Sequence, residues 1–426
     1  MSEPMSFTLG EAEKKDLLER FLRYVRVDTR SSETSETYPS TPGQWDLLRL
    51  LKTELLDMGL QDVELDANGY LFGTFPANLP EGIAAPVVGF LAHVDTYPAT
   101  RGDGVAPQVL PKYDGGDIVL KGDPSRTILA SKNPLLARCV GDTIITSDGT
   151  TLLGADDKAG IAEILTGIDC LRRHPEISHG PIRVGFTPDE ETGNGTKYFD
   201  VKRFGAEAAY TFDGSILGEV EVETFCADAA TVTVTGIDVH PGMAKNRMVN
   251  ALRAASWLIG RLPGDHLPET TELRESYLHP YVIAGEVGRL EIKMLVRGFE
   301  VRDLEEREDD LRRLARETEE AFPGCRVEVG VQESYRNMKV VLDQYPEVVG
   351  LAEEAVRRAG LEPKLGFIRG GTDGARLCFM GVPTPNIFAG GVNFHGLQEW
   401  VSLEWMAKAT ETFVHLAHLW GTKGPK

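Results

Sequence analysis

The amino-acid sequence predicts an α/β protein, in which a mainly parallel β-sheet is flanked by helices and a smaller α+β domain is inserted. Three observations predict this class. Four short apolar runs are nearly continuous, which is typical of strands buried on both faces of a parallel sheet. Segments with apolar residues at helical spacing lie between these runs. The stretch from 225 to 334 instead combines an alternating strand pattern with a highly charged helix.

The elements of the larger domain follow one another in an order that suits this architecture. Residues 11–26 and 43–58 are predicted to form two amphipathic helices. A third helix is predicted over 158–173, where five large apolar residues share one face: Ile161, Ile164, Leu165, Ile168 and Leu171. The predicted parallel strands are 87–92 (VVGFLA), 182–187 (IRVGFT), 208–212 (AAYTF) and 385–389 (PNIFA).

The inserted stretch has its own elements. Strands are predicted at 231–235 (TVTVT) and 290–298 (LEIKMLVRG), and helices at 249–261 and 301–322. We therefore predict a catalytic domain made of residues 1–224 and 335–426, with 225–334 as the inserted domain. Residues 97–141, rich in Gly, Pro and Asp, are predicted to be a long connection that borders a site.

Composition narrows the function. The chain has 426 residues, 45 basic against 65 acidic, and a formal charge of −20, which argues against nucleic acid or an anionic membrane as partner. Five scattered cysteines without a CxxC pair fit reduced thiols and neither a disulfide framework nor a thiolate zinc site. The N-terminus lacks the pattern of a signal peptide, and no run is long and apolar enough for a membrane span. We expect a cytoplasmic protein.

Potential metal ligands follow each of the four apolar runs. In an open parallel sheet, ligands bind beyond the carboxyl ends of the strands. Any one such residue has an ordinary structural explanation, such as a helix N-cap, but five clusters at equivalent positions favour a site. The clusters are His93 with Asp95, Asp189 to Glu191, Asp213, His395, and the pair Asp156 and Asp157 before the third helix.

The donor set favours a two-metal centre. Two imidazoles with several carboxylates suit Zn²⁺, with Mn²⁺ or Co²⁺ as substitutes. The carboxylates outnumber the ligands of one tetrahedral ion, so we predict two metals with a bridging carboxylate. A structural Ca²⁺ site would use oxygen ligands only, which His93 and His395 contradict.

Two local spacings refine this prediction. His93 and Asp95 face the same way on extended backbone, so the Asp95 carboxylate is expected to accept the free ring N–H of His93. Adjacent Glu190 and Glu191 point to opposite sides, so one can bind metal while the other reaches a water molecule. Spacing alone leaves open which does which.

Seven motifs occur in order: HVDT, LLGADDKAG, FTPDEETG, YTFDG, HPGMAKNRMVNA, IRGGTDGA and NFHG. Together they resemble the co-catalytic dizinc peptidase and aminoacylase family, and within it the tripeptide aminopeptidases, over almost the whole chain. The resemblance implies that His93 and Asp213 bind one zinc ion. It implies that Glu191 and His395 bind the other, with Asp156 as the bridge.

The resemblance also implies a mechanism. Glu190 corresponds to the general base and Asp95 to a second catalytic residue, while the two metals lower the pKa of the attacking water. The inserted domain would act as a lid and support a homodimer. His240 would then come from the same subunit or its partner to stabilise the oxyanion. The expected substrates are small peptides, and the expected reaction is release of the N-terminal residue from a tripeptide.

Basic side chains and loop backbone are predicted to bind the carboxylate of the peptide substrate. The candidates are Arg297, Arg369, Gly371 and Thr372. A surface ion pair for Arg297 and a plain turn at Gly371 are the structural alternatives. Dipeptidase, carboxypeptidase and N-acyl amino acid deacylase activities would use the same metal ligands and remain alternatives. An inactive peptide- or metal-binding relative would be expected to lack the base or a ligand, and none of these positions is missing.

Overall fold

The structure is a computed structural model and describes residues 5–423. It divides into two compact units. The first runs up to Val222 and continues with Val340–Gly366 and from Thr372 onward. The second comprises Glu223–Lys339 and Phe367–Gly371. The division into functional domains at 1–224, 225–334 and 335–426 stays a prediction.

Helices and strands both occur throughout the described residues. The α-helices are α1 Glu11–Tyr24, α2 Pro42–Asp57, α3 Ala155–Arg173, α4 Val201–Phe204, α5 Ala251–Ile259, α6 Val301–Ala321, α7 Lys339–Leu342, α8 Pro346–Arg358, α9 Asp373–Phe379 and α10 Leu403–Thr422. The strands are β1 Gln61–Leu65, β2 Leu71–Phe75, β3 Val88–His93, β4 Gln108–Leu110, β5 Ile144–Thr146, β6 Ile182–Thr187, β7 Ala208–Gly214, β8 Glu219–Thr224, β9 Cys226–Thr235, β10 Tyr277–Gly285, β11 Arg289–Gly298, β12 Arg326–Tyr335, β13 Lys364–Ile368, β14 Asn386–Phe388, β15 Gly391–Val392 and β16 Trp400–Ser402.

A large sheet is the centre of the first unit, with strand order β1-β2-β6-β3-β7-β14-β8-β13. Its central strands β6, β3, β7 and β14 run parallel to one another. These are the four apolar runs of the sequence, so the predicted parallel sheet is confirmed. Strands β1, β2 and β8 pair antiparallel at the sides. The four parallel strands therefore end at one edge of the sheet.

Both faces of this sheet are covered, which explains why the runs are continuously apolar. On one side, α3 packs on β3 and β7, and α1 and α10 pack on α3. Phe90 of β3 faces this layer, with its ring 4.3 Å from that of Phe413. The next residue, Leu91, belongs to a cluster with Phe72 and Phe204. Alternate residues of one strand thus belong to two apolar layers.

Residues 97–146 are more than a connection. They contain β4 and β5, which form a small sheet in the order β15-β16-β5-β4. This sheet contributes to an apolar cluster of its own that includes Ile118, Ile128, Ile144 and Trp400. The long connection predicted over 97–141 is incomplete because it contains β4, and turns separate its apolar residues and hide their periodicity.

The second unit contains an antiparallel sheet of order β10-β11-β9-β12. Its core cluster includes Val232 and Val234 of β9, Ile292 and Met294 of β11, and Leu311 of α6. The predicted strands and helices of this stretch are confirmed as β9, β11, α5 and α6. The edge strands β10 and β12 lie outside the predicted elements, since most of their residues are exposed or only partly buried. The alternating Val327, Val329 and Val331 are the signal that could have indicated β12. Across residues 5–423, every helix is too short or too polar to cross a membrane.

Candidate metal centre

The five residues predicted as metal ligands all belong to the first unit. His93 is the last residue of β3, and Asp213 lies near the end of β7. Glu191 lies in a 3₁₀ turn after β6, and His395 in the loop after β15. Asp156 lies in the first turn of α3, where its ψ of 104° is not helical. Strand ends, loops and the first turn of α3 thus supply the proposed ligands.

These side chains converge on Asp156. One Asp156 oxygen is 2.8 Å from Nε2 of His93, and the other is 3.2 Å from Nε2 of His395. Asp213 lies 3.6 Å from the same His93 nitrogen, and Glu191 lies 2.9 Å from the His395 nitrogen. The carboxylate predicted to bridge two metals lies between the two groups predicted to hold them.

Asp95 makes different contacts from those expected. The His93 Nδ1–H donates to the main-chain oxygen of Asp95 at 3.0 Å, and the Asp95 carboxylate is farther away, at 3.4 Å. Because a carbonyl only accepts, this bond places a proton on Nδ1 of His93, so Nε2 is the nitrogen that would bind a metal. The Asp95 carboxylate instead accepts the backbone N–H groups of Glu190 at 2.9 Å and Glu191 at 3.1 Å. It therefore holds the turn that carries both glutamates.

Asp189, the first of the three adjacent acids, is a structural residue. Its carboxylate accepts the backbone N–H of Ser40 and the side-chain N–H of Gln44, both at 2.7 Å, and the hydroxyl of Ser40. Gln44 in turn accepts the Asp189 N–H at 3.1 Å. Asp189 also has a φ of 56°, in the left-handed region. The strand end is thereby anchored to the start of α2, and the chain turns sharply before Glu190.

Asp157 has a role that spacing did not reveal. One of its oxygens accepts the N–H of His93 and the other that of Gly160, each at 3.2 Å. The peptide bond between Asp156 and Asp157 is cis. A Cβ at Gly160 would lie 1.9 Å from the main-chain oxygen of Phe212, so only glycine permits this approach of α3 to β7. Asp157 therefore joins β3 to α3 next to the proposed ligands.

Glu399 is a second residue that the sequence did not identify. Its Oε2 accepts the N–H groups of Leu153 and Gly154, both at 2.8 Å. Its Oε1 accepts those of Ala155 at 2.7 Å and Asp156 at 3.2 Å. The residue is 1% exposed. A lone glutamate after His395 carries no sequence pattern that would have indicated this contact.

His395 is supported by two neighbours. The ring of Tyr97 lies parallel to its ring, with the centroids 4.1 Å apart. The hydroxyl of Thr100 donates to its main-chain oxygen at 2.7 Å. His395 has a φ of 62° and a side chain that is 42% exposed, so these contacts orient a ligand on an otherwise open loop.

Glu190 borders a narrow cavity behind His93, to which Asp157, Asp213 and Asp373 also contribute. Asp373 accepts the hydroxyl of Thr187 at 2.6 Å. Burial raises the pKa of Glu190 well above its ordinary value; His93 lowers it, and Asp213 and Asp373 raise it. A carboxyl group with this environment is suited to accepting a proton at neutral pH.

The electrostatics of the cluster are dominated by burial. Burial and repulsion from Asp156 raise the pKa of Glu191 to about 8, although a hydrogen bond with His395 opposes this. Burial also raises the pKa of Asp213 to about 6, against a hydrogen bond with His93. For His395, burial lowers the pKa, but hydrogen bonds with Asp156 and Glu191 outweigh it and raise the pKa to about 11. The buried carboxylates of this cluster therefore outnumber its histidines, and bound cations would balance this negative charge.

The donor set contains two overlapping groups, each of which could hold a cation, and both include His93. Single atoms of His93, Asp157 and Asp213 lie within 4.8 Å of one another, and so do atoms of His93, Asp156 and Glu191. Oε1 of Glu191 is buried and has no hydrogen-bond partner among residues 5–423. An unpaired buried carboxylate oxygen is costly unless it binds a cation, so this atom indicates a metal ligand.

The remaining candidates belong to both units. His240, Arg297, Arg369 and Gly371 belong to the second unit, whereas Thr372 belongs to the first. The exposed His240 accepts the Gly242 N–H through Nδ1 at 3.2 Å.

The local contacts of the carboxylate-binding candidates are structural ones. Arg297 donates to the main-chain oxygens of Asp228 and Val296. Arg369 donates to the main-chain oxygen of Leu273 at 2.7 Å, and Thr372 caps α9. Roles of these residues in substrate binding stay predictions.

Residues 151–419 match the model of the family described as "Peptidase family M20/M25/M40". The chain is 46% identical over 411 residues to a protein named "Peptidase T" from Geobacillus thermodenitrificans, covering 96% of this chain and 99% of that one.

Two solved structures share the fold. A tripeptidase from Staphylococcus aureus has a TM-score of 0.76 and 22% identity, with 96% of this chain and 99% of that chain covered. A Bacillus subtilis protein described as a dinuclear metal-binding peptidase has a TM-score of 0.64 and 14% identity, with 96% and 99% covered. At these identities the likeness concerns the fold alone.

Proposed function

The chain belongs to peptidase family M20/M25/M40, and from this premise we propose that it is a dizinc aminopeptidase that releases the N-terminal residue of tripeptides. The observation that carries the proposal is the position of Asp156 between His93 and His395. The relative named "Peptidase T", 46% identical over 411 residues, supports a peptide substrate.

The proposed zinc ligands are the five residues predicted from the sequence: His93, Asp156, Glu191, Asp213 and His395. Imidazole nitrogen and carboxylate oxygen suit Zn²⁺, and Mn²⁺ or Co²⁺ would be accepted by the same donors. When bound, the two ions would polarise the scissile carbonyl and lower the pKa of the attacking water.

Residues of this chain would transfer the proton of the attacking water to the leaving group. Glu190 would accept a proton from the attacking water and then donate it to the leaving amine. Asp95 would hold Glu190 in position as the base and Glu191 in position as a metal ligand, because its carboxylate accepts both of their backbone N–H groups. The same residue accepts the His93 Nδ1–H through its carbonyl, which fixes the tautomer of a metal ligand.

The proposal also assigns roles to the substrate-binding candidates and to the second unit, and a location in the cell. His240 would stabilise the oxyanion, and Arg297, Arg369, Gly371 and Thr372 would bind the peptide carboxylate. The second unit would act as a lid and support a homodimer. A cytoplasmic location is proposed because the five cysteines are free and buried.

Hydrolysis of a free-amine tripeptide tests the function. Zinc-loaded wild type should release the first residue, whereas a chelated sample and Glu190→Gln should lose activity by at least about 10²-fold. Glu190→Gln should still bind two zinc ions per chain, which separates the base from the ligands. Glu81→Gln, at an exposed position, is the matched control and should retain full activity.

A substrate panel decides between the proposal and its relatives. Dipeptides, tripeptides with a blocked amine or carboxylate, and N-acyl amino acids should all be poorer than the free tripeptide. Preferential cleavage of an N-acyl amino acid or a dipeptide would overturn the tripeptide assignment but leave the metal centre intact. Full activity of Glu190→Gln would overturn the assignment of the base.

A further inference from the structure

The backbone around Asp156 is held by one side chain, that of Glu399. The N–H groups of residues 153 to 156 all point at its two carboxylate oxygens. Charge-assisted hydrogen bonds to backbone N–H groups are stronger than neutral ones, and here they act where water is excluded. The segment that delivers the proposed bridging ligand thus has four consecutive backbone N–H groups bound by one buried carboxylate.

This convergence depends on the shape of the backbone. Gly154 has φ 82° and ψ 32°, in the left-handed region that glycine adopts without strain. A turn at this residue is what lets N–H groups on both sides of it face the same carboxylate. A Cβ at Gly154 would also lie 3.3 Å from the Cγ2 of Thr96, so substitution would strain both the turn and its packing.

Glu399 also connects two proposed ligands. It follows His395 by four residues, and its own N–H donates to the main-chain oxygen of Gly396 at 3.3 Å. The side chain therefore ties the loop of His395 to the segment of Asp156, whose facing atoms are 3.2 Å apart. This tie sets the separation between a histidine and a carboxylate that the proposed function assigns to the same ion.

Two of the other three ligands have independent support. His93 is in β3, which pairs with β6 and β7, and Asp213 is in β7, which pairs with β14. Asp156 and His395 lie outside these ladders, and His395 has a φ of 62°. Loss of the Glu399 contact should therefore affect the Asp156–His395 side of the centre more than the His93–Asp213 side.

We propose that Glu399 is a positioning residue that sets the affinity of the ion held by Asp156, Glu191 and His395. The inference rests on the proposed function, because it takes Asp156 and His395 to be metal ligands. Groups that orient metal ligands typically change metal affinity by about 10- to 100-fold when they are replaced.

Metal titration of Glu399→Gln tests this proposal. The amide replaces one acceptor oxygen by an NH₂ group, which faces backbone N–H donors and cannot accept from them. Metal-free wild type and variant are titrated with Co²⁺, followed by visible absorption, and with Zn²⁺ against a competing chelator. We expect one of the two metal ions to bind about 10- to 100-fold more weakly in the variant, with an altered Co²⁺ spectrum. The affinity of the other metal ion should change less.

A matched control separates positioning from general loss of stability. Glu411 is another buried carboxylate, 1% exposed, that accepts a backbone N–H, that of Leu9 at 3.0 Å. Glu411→Gln should bind both equivalents as wild type does. If Glu399→Gln does not fold, Gly154→Ala provides the second test, with Gly59→Ala as its control at a left-handed glycine that has open space around it.

The outcomes are distinct. Wild-type affinity and an unchanged Co²⁺ spectrum for both equivalents in folded Glu399→Gln would overturn the inference. Equal weakening in the Glu411→Gln control would also overturn it, since the effect would then be general. A wild-type chain that bound neither Co²⁺ nor Zn²⁺ would instead overturn the proposed function, and this inference with it.

Discussion

The ring of Tyr97 stacks in parallel on the ring of His395, with the centroids 4.1 Å apart. Tyr97 follows β3 in the chain, whereas His395 belongs to a loop almost 300 residues later. The contact therefore lets the rigid sheet orient a ligand whose side chain is 42% exposed.

Removing this ring should weaken metal binding. Because a stacked aromatic pair contributes about 0.5–1.5 kcal/mol, we expect Tyr97→Ala to lower Zn²⁺ affinity for one equivalent by about 2- to 10-fold. Tyr97→Phe keeps the ring and should bind zinc as wild type does. Chelator competition measures both variants, and equal weakening in Tyr97→Phe would show that the hydroxyl, rather than the ring, is responsible.

Asp95→Asn should separate metal binding from turnover. The asparagine keeps the size of the side chain and the main-chain oxygen that accepts from His93, but it has one acceptor oxygen for two N–H donors. The turn of Glu190 and Glu191 then loses part of its support, and we expect kcat to fall by about 10²- to 10⁴-fold. Zinc content should remain two per chain, and an unchanged kcat would contradict the role assigned to Asp95.

Asp189→Ala should reduce stability. The substitution leaves the backbone and hydroxyl donors of Ser40 and the amide of Gln44 without their buried acceptor, which typically costs about 1–3 kcal/mol. Thermal unfolding of the chelated protein measures this loss without a contribution from metal. Ser40→Ala removes one donor only and should give a smaller decrease; a larger one would contradict the assignment.

Glu163→Gln should stabilise the protein in a pH-dependent way. Glu163 is fully buried in α3, and neither carboxylate oxygen has a hydrogen-bond partner among residues 5–423. Burial raises its pKa well above the ordinary value of 4.5. Below pH 4.5 the carboxyl is protonated in both folded and unfolded chains. As the pH rises toward the folded pKa, only the unfolded chain loses its proton, so the wild type loses stability and the glutamine variant does not.

Thermal midpoints of the two proteins, measured from about pH 4 to about pH 9, check this sign. The variant should gain on the wild type as the pH rises above about 4.5 and should keep its advantage at higher pH. Glu81→Gln, at an exposed position, provides the control and should show no such trend. A difference that shrinks with rising pH would contradict the prediction.

The sequence predicted the sheet, and it indicated the proposed ligands, because both have strong local signals. The runs around Phe90, Val184, Tyr210 and Ile387 are apolar on both faces, and only strands between two helical layers need this pattern. Acidic residues and histidines directly after such runs then indicate a site at one edge. The fold class was confirmed for the same reason.

The supporting residues could not be predicted in this way. Glu399 binds backbone N–H groups some 245 residues earlier in the chain, and nothing in its local sequence distinguishes it from a surface glutamate. Tyr97 and Asp157 likewise act through contacts that only the folded chain creates. The Asp95 carboxylate is expected to accept the ring N–H of His93, but the main-chain oxygen of Asp95 accepts it instead. The carboxylate accepts the backbone N–H groups of Glu190 and Glu191.

The order of strands in the large sheet has a consequence for synthesis of the protein. β7 and β8 are consecutive in the chain but are separated in the sheet by β14, which comes from residues 386–388. A growing chain that ends before this strand leaves one edge of β7 unpaired, and exposed strand edges promote aggregation. His395 follows shortly after β14. Nearly the whole chain must therefore be synthesised before the large sheet is complete and the last proposed ligand is present, so an incomplete chain has neither a finished core nor a full set of proposed metal ligands.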